Sequence, residues 1–265
     1  MKRLLLALVL APVLTFAESG KNRAEPPPPG PAPVVEDNTP RDPNKFAALS
    51  LLGDRVQLLS LTPARGDTVH SGEWTATPAG ALDDAVLQAI NVTIKAVDDK
   101  REVKLYTAST RSLFGDPEAL FVDGKLALPG NLGVAVRKSG AATLLVVTRS
   151  PQEAALARAL PARILTTLDG PGFVLDQRPS DQIGFDGRPR QPVFAPFVSI
   201  RVALIDLADM KLRREQSLVV ASRLPLAADA VGNPWAATTP EQRVNALEAL
   251  ISAELPIAMK GLVAK

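Results

Sequence analysis

The sequence predicts a single α/β domain in which a mixed sheet is flanked by helices, with β-hairpins near both ends. Short apolar runs of strand length occur throughout the chain from residue 45 onwards. A run with helical spacing lies between two of them, over residues 80–97, and turn-like segments join neighbouring runs near both ends. Helices between strands indicate a sheet with helices packed on it, and hairpins add antiparallel neighbours, so the sheet is expected to be mixed.

Two apolar runs at the start of the domain, Phe46–Leu52 and Arg55–Leu61, predict the first hairpin. Gly53 and Asp54 stand between them, and glycine supplies the positive φ that a tight two-residue turn needs. The segment 62–79 is polar and contains several prolines and glycines, which predicts a loop.

Helical periodicity predicts an amphipathic helix over residues 80–97, and alternation predicts a strand over residues 102–108. Asp116 before Pro117 is typical of an N-cap followed by proline at the first helical position, so a short helix is expected there. A second short helix is expected over residues 131–138, ending before a glycine.

Residues 142–148 form a continuous apolar run, which is typical of a central strand covered on both faces. Residues 152–160 fit either a further short helix or an irregular connection. Strand-like residues 163–176 are interrupted by Gly170-Pro171-Gly172. Proline lacks the amide that a phosphate would need, so these three residues predict a bend between β segments rather than a dinucleotide loop.

A second hairpin is predicted from residues 198–206 and 214–221. Thr239 and Gln242 have the spacing of a capping box, which predicts the start of the terminal helix. Pro256 is expected to kink or end this helix, because proline has no amide to donate.

The first residues, Met1–Ala17, have the pattern of a secretory signal peptide. Lys2 and Arg3 precede an apolar run that is shorter than the roughly 20 residues a membrane span needs, and Ala17 suits cleavage by signal peptidase. The sequence therefore predicts a periplasmic or secreted protein with no stable membrane insertion after cleavage.

The segment 18–44 is rich in proline and predicts a disordered tether, followed by one α/β domain over residues 45–265. Without residues 1–17, 28 basic residues would balance 28 acidic ones. A nucleic-acid partner is not expected, because such proteins concentrate basic residues on one face.

Residue types exclude several kinds of chemistry. The chain has no cysteine, which excludes disulfides, zinc–thiolate sites, cysteine nucleophiles and the acylated cysteine of lipoproteins. It has one histidine, His70, so zinc sites with several histidines are excluded and a serine–histidine–aspartate triad would have to use that residue. No cofactor is predicted.

One weak candidate metal site consists of Asp67, His70 and Glu73 in the loop 62–79. An imidazole and two carboxylates suit zinc or manganese. The spacing is unspecific, however, and polar residues in a loop are more often there because water solvates them.

The segment 169–196 is the predicted partner-binding surface, because aromatic and arginine side chains are enriched at the centres of protein interfaces. The alternative is that the phenylalanines cover the sheet edge while the arginines stay in water. The candidate residues are Phe173, Arg178, Phe185, Arg188, Arg190 and Phe194.

Several segments resemble uncharacterised exported proteins of β-proteobacteria. The matching residues are Gly170–Asp176, Ala195–Asp206, Arg214–Gln216 and Pro234-Trp235, with Phe46–Leu61 and Leu144–Thr148 in support. The order of elements is also similar, at the level of the fold, to the curli-secretion lipoprotein and to the N-terminal domain of the Tol-system propeller protein. The curli-secretion lipoprotein has an acylated cysteine that this chain lacks, so the resemblance does not imply pore formation.

The export signal and the aromatic–arginine segment favour a non-enzymatic periplasmic protein that binds another envelope component. The partner is an unknown envelope protein or ligand, and the oligomeric state is open. The alternative function is a periplasmic hydrolase that uses carboxylates or a metal held by Asp67, His70 and Glu73.

Overall fold

The computed structural model describes residues 40–61, 72–109, 111–155, 165–176, 193–224 and 234–264. The predicted signal peptide, 1–17, and most of the predicted tether lie outside these ranges. The strands are β1 (Asp42–Leu51), β2 (Arg55–Leu61), β3 (Glu73–Ala76), β4 (Glu102–Tyr106), β5 (Phe121–Val122), β6 (Lys125–Leu126), β7 (Ala141–Arg149), β8 (Gln152–Ala155), β9 (Leu165–Leu168), β10 (Gly170–Asp176), β11 (Val193–Asp206) and β12 (Lys211–Ala221). The α-helices are α1 (Ala81–Val97), α2 (Gly130–Arg137), α3 (Pro234–Ala237) and α4 (Pro240–Val263), and short 3-10 helices cover Arg111–Phe114 and Glu118–Leu120.

The predicted fold class is confirmed, as are most of the predicted elements. Helix α1 is the amphipathic helix expected over residues 80–97, and β11 and β12 form the second hairpin. The capping box is also present. Thr239 Oγ1 accepts from the Gln242 backbone N–H at 3.1 Å, and Gln242 Oε1 accepts from the Thr239 backbone N–H at 2.8 Å.

Strand β11 is a central strand of the sheet and pairs with other strands on both of its sides. On one side it pairs with β12 in antiparallel register. On the other side, residues 193–199 pair with β10 and residues 200–206 pair with β7, so two separate strands share one line of the sheet. The next line repeats this division, with β1 parallel to β7 and β2 parallel to β10.

The hairpin predicted between β1 and β2 is wrong. Strand β1 pairs with β4 and β7, and β2 pairs with β3 and β10, so β1 and β2 follow each other along the sheet instead of lying side by side. Gly53 has a positive φ of 80°, as predicted, but it lies between two strands that follow each other along the sheet and not in a hairpin turn. The hairpin near the amino-terminal end is the antiparallel pair β2–β3.

Apolar side chains cover both faces of the sheet. Leu145 and Val147 of β7 belong to a cluster with α1 and α4, whereas Leu144 and Val146 belong to a cluster on the opposite face with α2 and the 3-10 helices. Because β7 alternates between the two clusters, the prediction of a strand covered on both faces is confirmed.

The carboxylate of Asp83, in the first turn of α1, accepts hydrogen bonds from residues at the break between β1 and β2. Its Oδ1 accepts from the Ser50 hydroxyl at 2.6 Å and from the Leu52 backbone N–H at 2.9 Å, and its Oδ2 accepts from the Gly53 N–H at 3.3 Å. Burial raises the pKa of Asp83 above its usual range, although these hydrogen bonds oppose the rise. The carboxylate therefore satisfies polar groups that the interrupted strand leaves without sheet partners.

Gly170, Pro171 and Gly172 are the first three residues of β10, and Asp169 alone separates β10 from β9. Gly170 has a φ of 69°, which favours glycine. Gly172 lies where two strands approach closely, since an added Cβ would be 2.3 Å from the Gln57 carbonyl oxygen and 2.4 Å from the Phe197 ring. The prediction that these three residues form a bend between β segments is wrong, because all three pair with β11, and Gly172 is required for packing within the strand.

Two further expectations differ from the structure. Residues 152–155 form β8, which pairs with β9 as a small separate sheet, so the helical alternative for this segment is wrong. Helix α4 continues through Pro256 to Val263. Proline removes the donor to the carbonyl of Ser252, but Ser252 is exposed to water, and buried Leu255 and Met259 keep both sides of the helix packed.

We expect Asp83→Ala to lower the free energy of unfolding by about 3 kcal/mol, because buried donors lose their acceptor, and Asp83→Asn by about 1 kcal/mol. Because the folded-state pKa of Asp83 is raised, protonation favours the folded state. The wild type should therefore gain stability relative to Asp83→Asn as the pH falls from 7 towards the ordinary carboxyl pKa. Urea unfolding between pH 7 and pH 4 measures this difference, and a difference that does not change with pH would contradict it.

We expect Gly172→Ala to lower the free energy of unfolding by about 3 kcal/mol, because the new methyl group overlaps backbone and ring atoms. Gly261→Ala in α4 is the matched control. A Cβ there has no atom within 4 Å, so it should raise stability by about 0.5–1 kcal/mol through helix propensity. Thermal and urea unfolding of both variants give the comparison, and equal effects would show that close packing at Gly172 is unimportant.

Candidate functional site

A pocket of about 210 Å³ lies between the β2–β3 hairpin, β10, α3 and the first turns of α4. Most of its lining is apolar, with two threonine hydroxyls and one arginine. The lining residues are Val56, Thr75, Ala76, Thr77, Pro78, Phe173, Trp235, Pro240, Arg243, Val244 and Leu247.

Aromatic rings form the base of this pocket. Trp235 contacts Phe173 edge to face, with ring centroids 5.8 Å apart, and contacts Phe194 in the same way at 6.2 Å. The two phenylalanine rings are stacked at 4.9 Å. Their side chains are buried, so Trp235 rests on a preformed apolar surface and α3 is anchored to the sheet through its ring.

Arg243 supplies the positive charge of the pocket. Its guanidinium lies over the Trp235 ring at 3.9 Å, and Nη1 donates to the carbonyl oxygens of Trp235 at 2.7 Å and Thr238 at 2.6 Å. Burial lowers the pKa of Arg243. Across the described parts of the chain, no carboxylate lies within ion-pair distance of this guanidinium, so its charge is compensated only by carbonyl dipoles and the ring.

The pocket also contains a hydroxyl without a partner. Thr77 Oγ1 is buried and makes no hydrogen bond within the described residues, although the Thr77 backbone N–H donates to the Asp54 carbonyl at 2.8 Å. Buried hydroxyls are usually hydrogen-bonded, but this oxygen has no surface that reaches solvent, so it is not among the groups that a ligand would contact. An apolar lining and a cation without a carboxylate partner in the described residues together suit a ligand that has an apolar body and an anionic group.

The sequence-predicted partner residues lie in two environments. Phe173 and Phe194 are 0% and 1% exposed, so for these two residues the structure shows the packing role that was the alternative to partner binding. Four predicted residues lie outside the described ranges, and their role stays a prediction. They are Arg178, Phe185, Arg188 and Arg190.

The predicted metal ligands are described only in part. Glu73 is exposed at the start of β3, where it pairs with Leu58 of β2. Asp67 and His70 lie outside the described residues, so the metal site stays a prediction. Within the described ranges, no group of three histidine, aspartate or glutamate side chains has the geometry of a metal site. No helix in those ranges is long and apolar enough to cross a membrane.

A second polar cluster lies where β7 gives way to β10. Arg149 donates from Nη1 to Asp169 Oδ2 at 3.2 Å and from Nη2 to the Phe114 carbonyl oxygen at 2.5 Å, and it lies over the Trp74 ring at 4.9 Å. Burial raises the pKa of Asp169, and the positive charge of Arg149 opposes this rise. These hydrogen bonds connect the end of β7 and the residue before β10 with the carbonyl oxygen at the end of the 3-10 helix Arg111–Phe114. The cluster therefore has a structural role.

Sequence reasoning missed Arg243 as a member of the site. Arg243 is one turn inside a helix among other polar residues, and nothing in its spacing distinguishes it from a solvated side chain. It reaches Trp235 only because the short helix α3 ends directly before α4 and places the ring beside the first turn.

No protein-family model and no curated protein matches the chain. Among solved structures, it is similar to a protein of Xanthomonas campestris from the DUF330 family, with 9% identity, a TM-score of 0.33 and coverage of 88% of this chain and 90% of the other. It is similar to the PelC dodecamer from Paraburkholderia phytofirmans, with 10% identity, a TM-score of 0.29 and coverage of 82% and 92%. It is also similar to a neuraminyllactose-binding hemagglutinin homolog from Helicobacter pylori, with 5% identity, a TM-score of 0.35 and coverage of 88% and 90%.

We expect Trp235→Ala to lower the free energy of unfolding by about 3 kcal/mol, because the contacts with Phe173 and Phe194 are lost. Trp235→Phe should lose about 1 kcal/mol, since an aromatic ring can still contact the phenylalanine pair. Urea unfolding measures both values. Equal losses in the two variants would show that ring packing is not what holds α3 on the sheet.

Proposed function

We propose that this chain is an exported, periplasmic, non-enzymatic binding protein that serves as an accessory to another envelope component. The observation that carries the proposal is the pocket of Trp235 and Arg243, in which an apolar surface and a charge without a carboxylate partner in the described residues converge. Pockets that combine an apolar lining with few polar groups are the usual form of ligand sites.

The amino-terminal sequence supports the compartment. Lys2, Arg3 and the apolar run that follows have the pattern of a cleavable export signal, and the proline-rich segment after Ala17 suits a spacer between a domain and its surroundings. The absence of cysteine is compatible with an oxidising compartment, because the chain has no thiol that could form an unwanted disulfide there.

The predicted loop arginines extend the proposal. Arg178, Arg188 and Arg190 occur between Asp176, which ends β10, and Val193, which begins β11. Strand β10 also supplies Phe173 to the pocket. A partner bound at the pocket would therefore approach the strand from which this arginine-containing segment begins, and we propose that these arginines contact it.

A photo-crosslinking residue placed at Ala76, which is exposed and lines the pocket, should give a discrete adduct in the periplasm of the native host. The same residue placed at Val122, which is 56% exposed on β5, is the control and should give no such adduct. Arg243→Gln should remove the Ala76 adduct, because the charge in the pocket is lost. Mass spectrometry identifies the adduct, and N-terminal sequencing checks cleavage after Ala17.

The loop is tested in the same assay. Simultaneous replacement of Arg178, Arg188 and Arg190 by glutamine should weaken the Ala76 adduct, whereas replacement of Arg213 and Arg214 on β12 should leave it unchanged. An adduct pattern that is identical at Ala76 and Val122, or that persists at full strength in Arg243→Gln, would overturn the proposal for the pocket.

A further inference from the structure

We infer that the pocket binds the carboxyl-terminal residue of a polypeptide that ends in an apolar side chain. The side chain would enter the pocket, the terminal carboxylate would meet Arg243, and the preceding backbone would pair with the free edge of β3. The inference rests on the proposed function, because it names the ligand chemistry of the same site.

The size of the pocket suits one side chain. Its volume of about 210 Å³ is below the roughly 300–1,000 Å³ of pockets that hold drug-sized ligands. The lining residues Val56, Phe173 and Leu247 are almost completely buried. Ala76, Pro78 and Pro240 are exposed, and Trp235 is half-buried, so these residues present hydrocarbon to the interior of the pocket. A single leucine- or phenylalanine-sized group would therefore remove apolar surface from water on both partners.

The charge of the pocket suits a terminal carboxylate. Nη1 of Arg243 donates to the carbonyls of Trp235 and Thr238, and within the described chain Nε and Nη2 make no hydrogen bond. Pro240, in the first turn of α4, also lines the pocket, and the amino-terminal end of a helix carries partial positive charge. Both features attract an anion to the same side of the pocket, and arginine binds carboxylates with parallel hydrogen bonds.

The free edge of β3 favours a polypeptide over other amphipathic anions. Strand β3 pairs with β2 on one side and, in the described part of the chain, with no strand on the other. Thr75 and Ala76 at the end of this strand, and Thr77 and Pro78 directly after it, line the pocket. An extended peptide can add to such an edge through backbone hydrogen bonds, whereas a fatty acid has no donors for it.

Peptide binding can be read from Trp235 itself. The chain has two tryptophans, so Trp74→Phe leaves Trp235 as the only one. In this background, the mature full-length chain is titrated with acetylated hexapeptides that end in leucine, either as the free acid or as the amide, and affinity is measured by fluorescence and calorimetry. The acid should bind at least about tenfold more tightly than the amide, because the charge-assisted hydrogen bond to Arg243 is absent from the amide.

Two variants show whether Arg243 causes the preference. Arg243→Gln should bind acid and amide equally, while glutamine can still donate to the Trp235 carbonyl. Arg214→Gln is the matched control, because Arg214 also donates to a helix carbonyl, that of Gly261, but lies at the other end of α4. It should keep the full preference. The comparison of acid with amide in the Trp74→Phe background needs no pocket variant, so instability of Arg243→Gln would not remove the test.

Three results would overturn the inference: equal affinity for acid and amide, no binding at millimolar peptide, or binding of octanoate as tight as that of the peptide acid. The last would assign the pocket to a small amphipathic anion. If the peptides fail while the Ala76 adduct still depends on Arg243, only this inference is wrong. If both fail, the proposed function is wrong as well.

Discussion

Strand β11 pairs on one side with β12 and on the other side first with β10 and then with β7. This pairing also sets the positions of β1 and β2, because β1 pairs with β7 and β2 pairs with β10. The chain must therefore interrupt the lines beside β11 without leaving polar backbone groups buried and unpaired. Asp83 meets this requirement between β1 and β2, and between β7 and β10 the Asp169 backbone N–H donates to Gln57 Oε1. A lost hydrogen bond at either break costs more than one on the surface, because water cannot replace it.

The pocket follows from the same division of the sheet. Strands β2 and β10 form the half that continues beyond the breaks, and they carry Val56 and Phe173. The short helix α3 then sets Trp235 against Phe173 and Phe194, and the capped start of α4 brings Arg243 onto the ring. The pocket thus lies where a sheet half, a hairpin edge and a helix terminus meet.

Elements whose signals are local, including the β11–β12 hairpin, could be predicted from the sequence, whereas pairings between strands far apart in the chain could not. The capping box at Thr239 and the periodicity of α1 involve neighbouring residues, so they are visible in the chain. Gly53 indicates a change of direction, but whether two runs lie side by side or in line depends on distant partners such as Val147 and Gly172. Likewise, α4 passes Pro256 because Leu255 and Met259 are buried against other elements, and the stacking of Arg243 requires α3, which has no periodic signal of its own.

The segment of chain between β7 and β10 is a position at which residues can be added to the domain or removed from it. The chain leaves the sheet after Arg149, forms β8 and β9 as a separate pair, and returns at Gly170 opposite the next residue of β11. Because the two strand ends are already held in register by β11, residues added to or removed from this excursion do not shift any pairing in the main sheet. Length can therefore change at the end of the β8–β9 pair that is far from Leu168, whereas Leu168 itself is buried with Val174 and Phe197 and holds the base of the pair against the core.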